Sequence, residues 1–308
     1  MTENVSIAVG CPTERAIIRA LLYFEVFAYP LNAEEVFRYI DQANATQEEV
    51  QEKLDRLVLQ EKVFFFEGFY QTQNSPEWIS KRKARNLRAD RMLPVAHRMA
   101  RFIGAFPFVR AVFVSGSLSK HSMNEDSDID FFLIMEPGRL WLARTLLVLF
   151  KKIFLFNSHK YFCVNYFIDT EHLEIEEKNL FTATEIVTLI PMYGSEWYQA
   201  FYQANKWAWA QYPNFEPRPV HAVAMHKRTG LKKILEWIQR GKTGDWLDRQ
   251  SLRVTLAFWR KKFRYLPNDQ FDLALKSRRY VSKHHPLHFQ EKVLKAFDKR
   301  AAEMKTLV

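Results

Sequence analysis

The chain alternates between segments whose apolar residues recur every three to four positions and segments in which they recur every second position. The first pattern predicts helices and the second predicts strands. A helix-spaced segment ends at Pro30, and Asn32 and Thr46 are N-cap candidates for two further helices. The pattern then shortens to an aromatic run that turns at Glu67-Gly68, which predicts a hairpin.

Residues 13–73 thus predict three helices followed by a two-stranded hairpin, an order that resembles a winged helix-turn-helix domain. A DNA-reading domain of this kind carries basic and amide side chains on its third helix. Here the exposed positions of that helix are acidic on balance, with Glu48, Glu49, Glu52, Asp55 and Glu61 against Lys53, Arg56 and Lys62. DNA or RNA is therefore a less favoured partner of this segment than a protein surface, because few phosphate contacts are available.

Candidate chemistry lies between two apolar runs that predict buried strands. The first run breaks at Gly116-Ser117, ten residues follow, and Asp128-Ile129-Asp130 opens the second. This combination resembles the signature of the nucleotidyltransferase superfamily, which includes DNA polymerase beta and the antibiotic nucleotidyltransferases. The resemblance implies transfer of a nucleoside monophosphate from a nucleoside triphosphate, with ATP as first choice, to the hydroxyl of an unidentified acceptor. It also implies phosphoryl transfer of the two-metal type.

Asp128 and Asp130 are expected on one face of a strand, about 7 Å apart along the backbone. Paired carboxylates suit Mg²⁺, or Mn²⁺ as the alternative, because such ions take oxygen ligands and share them with substrate phosphates. Gly116 lets the backbone approach a triphosphate closely, and Ser117 offers N–H and hydroxyl donors. Ser127 is expected to support the acidic strand through a hydrogen bond.

The superfamily usually supplies a third carboxylate from a later strand, here predicted within residues 159–169. Strict alternation places Asn165 in the middle of that strand, on one face with Tyr161, Cys163, Phe167 and Asp169. Asn165 cannot accept a proton as a carboxylate does. Three alternatives follow: a transferase with two carboxylates, one in which Asp169 supplies the third, and a nucleotide-binding sensor that has lost its chemistry.

Charge is concentrated at the C-terminal end of the chain. Of the net charge of +10, residues 221–308 hold 21 lysines and arginines against 8 aspartates and glutamates, so the rest is slightly acidic. Helical patterns dominate residues 179–308. Within them Arg278 and Lys283 are the expected contacts to the triphosphate. A nucleic-acid-binding regulator that uses this basic region is the remaining alternative function.

We therefore expect an α+β protein with a small mixed β-sheet core. The expected parts are a winged-helix-like domain at 1–75, a connecting helix at 76–105, a nucleotidyltransferase core at 106–178 and a basic helical domain at 179–308.

The composition is that of an ordinary folded protein, with 48% hydrophobic and 26% charged residues among 308. Two cysteines exclude a disulfide framework and fit the reducing cytoplasm. The N-terminus lacks the basic and apolar regions of a secretory signal. Charged residues interrupt the most apolar segment, residues 140–156, so we expect neither a membrane span nor a membrane partner.

Overall fold

Helices and a mixed β-sheet make up the protein, which confirms the predicted α+β class. The computed structural model describes residues 10–156, 160–227, 229–284 and 289–306. Residues 1–9, on which the expectation about a secretory signal depends, lie outside these ranges. Within the described ranges, no helix is both long and apolar enough to cross a bilayer.

The described elements alternate between helices and short strands along the whole chain. The helices are α1 Pro12–Glu25, α2 Ala33–Tyr39, α3 Gln47–Leu59, α4 Glu77–Gly104, α5 Gly116–Ser119, α6 Leu140–Phe154, α7 Leu180–Thr188, α8 Ser195–Ala204, α9 Lys206–Gln211, α10 Gly230–Ile238, α11 Gly241–Lys262, α12 Asn268–Ala274 and α13 Phe289–Thr306. The strands are β1 Phe64–Phe66, β2 Phe69–Gln71, β3 Val109–Ser115, β4 Asp130–Met135, β5 Cys163–Asp169, β6 Ile190–Tyr193, β7 Ser277–Arg278 and β8 Val281–Lys283.

Six strands form the main sheet in the order β6-β3-β4-β5-β8-β7. Among the strand pairs that the structure describes, only β4–β5 is parallel, and α6 makes the crossover that such a connection needs. Strands β3 and β4 form an antiparallel pair in which Ser115 stands opposite Asp130. Across the parallel pair Asp130 stands opposite Cys163. The end of β3 and the starts of β4 and β5 therefore meet at the same end of these central strands. This edge, which runs across the strand ends, differs from the outer strands β6 and β7.

Apolar side chains cover both faces of this sheet. Phe131, Leu133 and Phe167 pack into a core on the face covered by α4, α6 and α11. Phe113 and Phe132 pack into a second core on the face covered by α7, α8 and α9. Both faces being buried explains why β3 and β4 are continuous apolar runs rather than alternating ones.

The N-terminal elements follow the sequence prediction closely. Asn32 and Thr46 cap α2 and α3, since their side chains accept hydrogen bonds from the N–H groups of Glu35 and Glu49. The β1–β2 hairpin turns at Glu67 and Gly68, both with positive φ, as a two-residue turn of type I′ requires. Helices α1 to α3 share one apolar core with the base of this hairpin.

The C-terminal part of the chain differs from the expected helical domain. Strand β6 pairs with β3, and the β7–β8 hairpin pairs with β5, so residues after 179 complete the main sheet on both sides. Pro191 is tolerated in β6 because this strand is the edge of the sheet. Arg278 and Lys283, which were expected within a helical region, lie instead in the short β7–β8 hairpin at the outer side of the sheet.

The last helix, α13, packs against the first. Val293, Phe297 and Ala301 are buried in the core of the N-terminal elements, and the rings of Phe297 and Tyr23 lie 5.8 Å apart. The predicted boundary at residue 179 therefore does not separate one hydrophobic core from another.

A buried charge network joins α10 to the start of β3. The Arg110 guanidinium lies 2.8 Å from the Glu236 carboxylate, and its Nε donates to Glu136 over 2.7 Å. Glu236 also accepts a hydrogen bond from the backbone N–H of Phe108. Both Arg110 and Glu236 are almost fully buried, so the loss of either would leave a buried charge with fewer partners.

Removing the Glu236 carboxylate is expected to destabilise the fold. Glu236→Ala leaves a buried guanidinium and a buried N–H without one of their partners, which lowers the free energy of unfolding by about 3 kcal/mol. Urea unfolding of the variant measures this loss. The matched control is Glu34→Ala, because Glu34 forms an exposed pair with Arg38 and its loss costs less than about 1 kcal/mol. Equal losses in the two variants would contradict the prediction.

Candidate functional site

The two halves of the sequence motif meet at the edge where β3 ends and β4 begins. Gly116 follows Ser115 directly and has a φ of +68°, which favours glycine. A Cβ atom at this position would lie 2.4 Å from Oδ2 of Asp130. The backbone of Gly116 and the carboxylate of Asp130 are therefore in close contact, and a side chain at position 116 would force them apart.

Asp130 accepts hydrogen bonds from two neighbours on β5. Nδ2 of Asn165 donates to its Oδ1 over 2.7 Å, and the thiol of Cys163 also donates to the carboxylate. A β-bulge opposite Phe131 and Phe132 places Asn165 between the paired residues. The predicted alternation therefore fails, since Val164 and Phe167, which it places on opposite faces, pack into the same core, whereas Tyr166 packs into the other.

Burial and neighbouring carboxylates make Asp130 a weak acid. Its pKa is raised to about 7, first by desolvation and then by the charges of Glu185 and Asp128, against the opposing effects of the Cys163 hydrogen bond and the Lys120 charge. The same surroundings raise the pKa of the buried Cys163 thiol to about 12, chiefly through burial and then through Asp130. Around the Asp130 carboxylate itself, the charges of Glu185 and Asp128 therefore outweigh that of Lys120.

Glu185 and Lys120 belong to this edge although sequence reasoning did not select them. Nζ of Lys120 lies 2.8 Å from the Glu185 carboxylate and donates to the carbonyl of Gly116 over 3.1 Å. Glu185 comes from α7, which packs over the sheet face that carries Phe132. One sequence signal was present, because Glu185 is the only charged residue between positions 179 and 195.

Asp128, Ser117 and Ser127, the other predicted site residues near Asp130, have different surroundings. Asp128 is half-buried just before β4, where its charge acts on Asp130 and Cys163. Ser117 is half-buried at the start of α5, and among the described residues its hydroxyl makes no hydrogen bond. Ser127 accepts a hydrogen bond from the N–H of Asn124, so it closes the loop before β4.

Three other predicted site residues are not brought to Asp130. Asp169 stands opposite Met135 at the far end of β5, where its carboxylate accepts from the N–H groups of Glu171 and His172. Lys283 is buried on β8, two strands away from β4, and its Nζ lies 4.0 Å from Glu177. Arg278 is exposed on β7, one strand further out.

The donor set at this edge fits a magnesium ion that shares its ligands with a substrate. Within the described ranges, no three His, Cys, Asp or Glu side chains are arranged to hold a metal ion by themselves. Mg²⁺, however, is commonly bound through one or two carboxylates together with substrate phosphates and water. Asp128 and Asp130 supply such carboxylates, and the excess negative charge around Asp130 favours a cation there.

The contact between Gly116 and Asp130 predicts a specific cost for a methyl group at position 116. Gly116→Ala adds both backbone strain and a collision with the carboxylate, which together lower the free energy of unfolding by about 2–3 kcal/mol. Gly68→Ala is the matched control, because Gly68 also has positive φ but has open space around it. Its loss, measured by the same urea titration, should be about 1 kcal/mol. Equal losses would contradict the contact.

The raised pKa of Asp130 predicts how a neutral side chain affects stability without metal. In the parent, the folded carboxyl holds its proton up to about pH 7, whereas the unfolded one loses it near 3.8. Its contribution to stability therefore falls as pH rises between these values. Asp130→Asn lacks this penalty, so in chelator its melting temperature should exceed the parent's by about 2–4 °C at pH 8.

That advantage should shrink towards pH 4, because the folded carboxyl is protonated there and the unfolded one is close to its pKa of 3.8, so little of the penalty remains. Asp126→Asn, in the exposed loop, is the control and should show no such pH-dependent gap. A gap for Asp130→Asn that is constant with pH would contradict the raised pKa.

Comparison with known proteins finds no relative of this chain. No family model, curated protein or solved structure matches the chain. What can be said of function therefore rests on Gly116, Ser117, Asp128, Asp130 and their surroundings at the edge of the sheet.

Proposed function

We propose that the protein is a Mg²⁺-dependent nucleotidyltransferase that moves a nucleoside monophosphate from a nucleoside triphosphate to an acceptor hydroxyl. The observation that carries this proposal is the contact between Gly116 and Asp130, which joins the two halves of the motif across the β3–β4 pair. A backbone that admits no side chain, placed against a half-buried carboxylate, suits a triphosphate held beside a cation.

Each residue has a distinct role in this proposal. Asp128 and Asp130 would hold the metal through their carboxylate oxygens. The backbone of Gly116 and the N–H and hydroxyl of Ser117, whose hydroxyl makes no hydrogen bond among the described residues, would bind the β- and γ-phosphates. When bound, Mg²⁺ would neutralise phosphate charge and stabilise the pyrophosphate that leaves.

The acceptor hydroxyl needs a group that takes its proton. Asn165 cannot do so, and its Nδ2 is already bonded to Asp130. Glu185 is the additional carboxylate whose charge reaches Asp130, and it is only partly buried. We propose Glu185 as the proton acceptor, with the ammonium of Lys120 positioned 2.8 Å from its carboxylate.

Nucleotide binding tests the metal and phosphate contacts. A fluorescent ATP analogue should bind the parent in the presence of Mg²⁺ and be released by a chelator. The Asp128→Ala, Asp130→Ala double variant should bind at least about tenfold more weakly, since it lacks both carboxylates. Asp126→Ala, which removes an exposed acid from the preceding loop, should bind like the parent. Unchanged binding in the double variant would overturn the assignment of the site.

Product formation tests the reaction itself. The parent, mixed with each nucleoside triphosphate and a panel of hydroxyl acceptors, should release pyrophosphate and increase the acceptor's mass by one nucleoside monophosphate. Glu185→Gln should keep nucleotide binding and lose about 100-fold or more in turnover, which is the usual contribution of a general base. A Glu185→Gln variant with full turnover would exclude that role.

A second function is favoured by one observation, the amide of Asn165 at the position where an acid is expected. A nucleotide-binding sensor without transferase chemistry would bind the triphosphate through the same Gly116 and Asp130 contact. It would release no pyrophosphate with any acceptor, and Asn165→Asp would not impair its response to nucleotide. Pyrophosphate release by the parent would exclude this alternative.

The N-terminal elements fit a winged-helix-like unit that contacts protein rather than nucleic acid. The order α1, α2, α3 and the β1–β2 hairpin supports this proposal. The basic residues of α3 already face acids, since Lys53 pairs with Glu52 and Arg56 lies 3.7 Å from Glu14. Few cations on α3 are therefore left for phosphates. A nucleic-acid-binding regulator remains the less favoured alternative, and salt-dependent retention of the full chain on DNA would support it.

A further inference from the structure

Helix α10 turns its charged residues towards the protein and its apolar residues towards solvent. Lys232 and Glu236, one helical turn apart, are 1% and 2% exposed. Leu231, Ile234, Trp237 and Ile238, on the other side of the same helix, are 69%, 56%, 72% and 59% exposed. Amphipathic helices normally bury the apolar side, so this orientation needs a physical cause.

Specific hydrogen bonds hold the charged side inwards. Nζ of Lys232 donates to the carbonyls of Gly104 and Val109 over 2.8 and 2.7 Å. The first of these carbonyls ends α4, where a cation is also favoured by the helix dipole. Glu236 accepts from Phe108 N–H and from Arg110, as described above. Rotating α10 to bury its apolar side would break these buried contacts, so the outward apolar face is built into the fold.

The exposed charges of the chain segment that carries this apolar face, positions 225–243, are of one sign among the described residues. Lys233 and Arg240 are exposed on α10 and just after it, and Lys227 and Lys242 are exposed on the flanking segments. Glu236 is the one carboxylate in positions 225–243, and it is buried. The surface around α10 therefore presents large apolar side chains bordered by cations.

We propose that this face, formed by Leu231, Ile234, Trp237 and Ile238 with its flanking cations, docks the protein on an anionic lipid surface. A helix that exposes tryptophan and branched aliphatic residues beside lysines and arginines lies in the headgroup region with its apolar side inserted. Cations near such a surface add electrostatic attraction to that insertion. This proposal replaces the expectation of no membrane partner, which rested on the absence of a spanning segment.

Shape and charge favour lipid over a protein occupant. The four side chains stand on one nine-residue helix and form a ridge, whereas peptides and amphipathic helices are usually bound in grooves. A cavity of about 540 Å³ opens beside Arg110, Glu136, Trp197 and His226, and α10 contributes nothing to its lining. A second copy placed symmetrically on this face would bring the same cations together, which disfavours a self-interface.

Vesicle flotation of the full chain tests the proposal. The parent should float with vesicles of phosphatidylcholine and phosphatidylglycerol, and much less with phosphatidylcholine alone. Ile234→Ser with Trp237→Ser should weaken this binding about tenfold or more, because the inserted apolar area is lost. Lys233→Ala with Arg240→Ala should weaken it about fivefold for each charge removed, and added salt should weaken it in the parent.

Leu59→Ser is the matched control, because Leu59 is 86% exposed at the end of the acidic helix α3 and should not contribute. The α10 variants alter exposed residues, so their melting temperatures should equal the parent's. Three results would overturn the proposal: no flotation of the parent with anionic vesicles, equal flotation of the Ile234, Trp237 variant, or a dimer of the parent in sedimentation that this variant abolishes. Binding of an acidic peptide in place of vesicles would equally assign the face to a protein.

Discussion

The antiparallel pairing of β3 with β4 is the constraint on which the candidate site depends. With Ser115 opposite Asp130, the turn after β3 brings the backbone of Gly116 directly against the Asp130 carboxylate. The parallel pairing of β4 with β5 then adds Cys163 and Asn165 from the other side. A shift of one residue in either pairing would turn the Asp130 carboxylate to the opposite face of the sheet, away from α7 and Glu185. The site is therefore a product of strand register.

The charges at the two ends of β3 differ in how far they neutralise one another. At the start of β3, Arg110 and Glu236 neutralise each other, and the helix that carries Glu236 is fixed with its apolar side outwards. At the end of β3, Lys120 acts on Asp130 and Glu185, while Lys151 lies near Asp128, and the pKa of Asp130 still rises to about 7. At the start of β3 the charges neutralise each other without a bound ion. The end of β3 is where a bound cation would remove a cost of folding.

The local parts of this structure were predictable from sequence, and the parts set by tertiary packing were not. The caps Asn32 and Thr46 and the turn at Glu67-Gly68 depend on neighbouring residues, so their patterns were sufficient. The face of the sheet on which Asn165 lies depends on a β-bulge. The two-residue alternation of a strand sequence does not show where such a bulge occurs. Glu185 reaches the site because α7 packs over the sheet, and Arg278 and Lys283 lie elsewhere because their segment forms an edge hairpin. In α10 the helical period distinguishes two sides but does not say which side faces the protein.

The central claim is that one cation lies between the two aspartates while the phosphates of a nucleotide rest on Gly116 and Ser117. Crystals grown with Mn²⁺ in place of Mg²⁺ and a non-hydrolysable ATP analogue test it most directly through the anomalous signal of manganese. The assignment predicts a manganese peak at about 2.0–2.3 Å from carboxylate oxygens of both Asp128 and Asp130, with phosphate oxygens in the same shell. Nucleotide bound elsewhere, or a manganese peak away from this edge of the sheet, would contradict it.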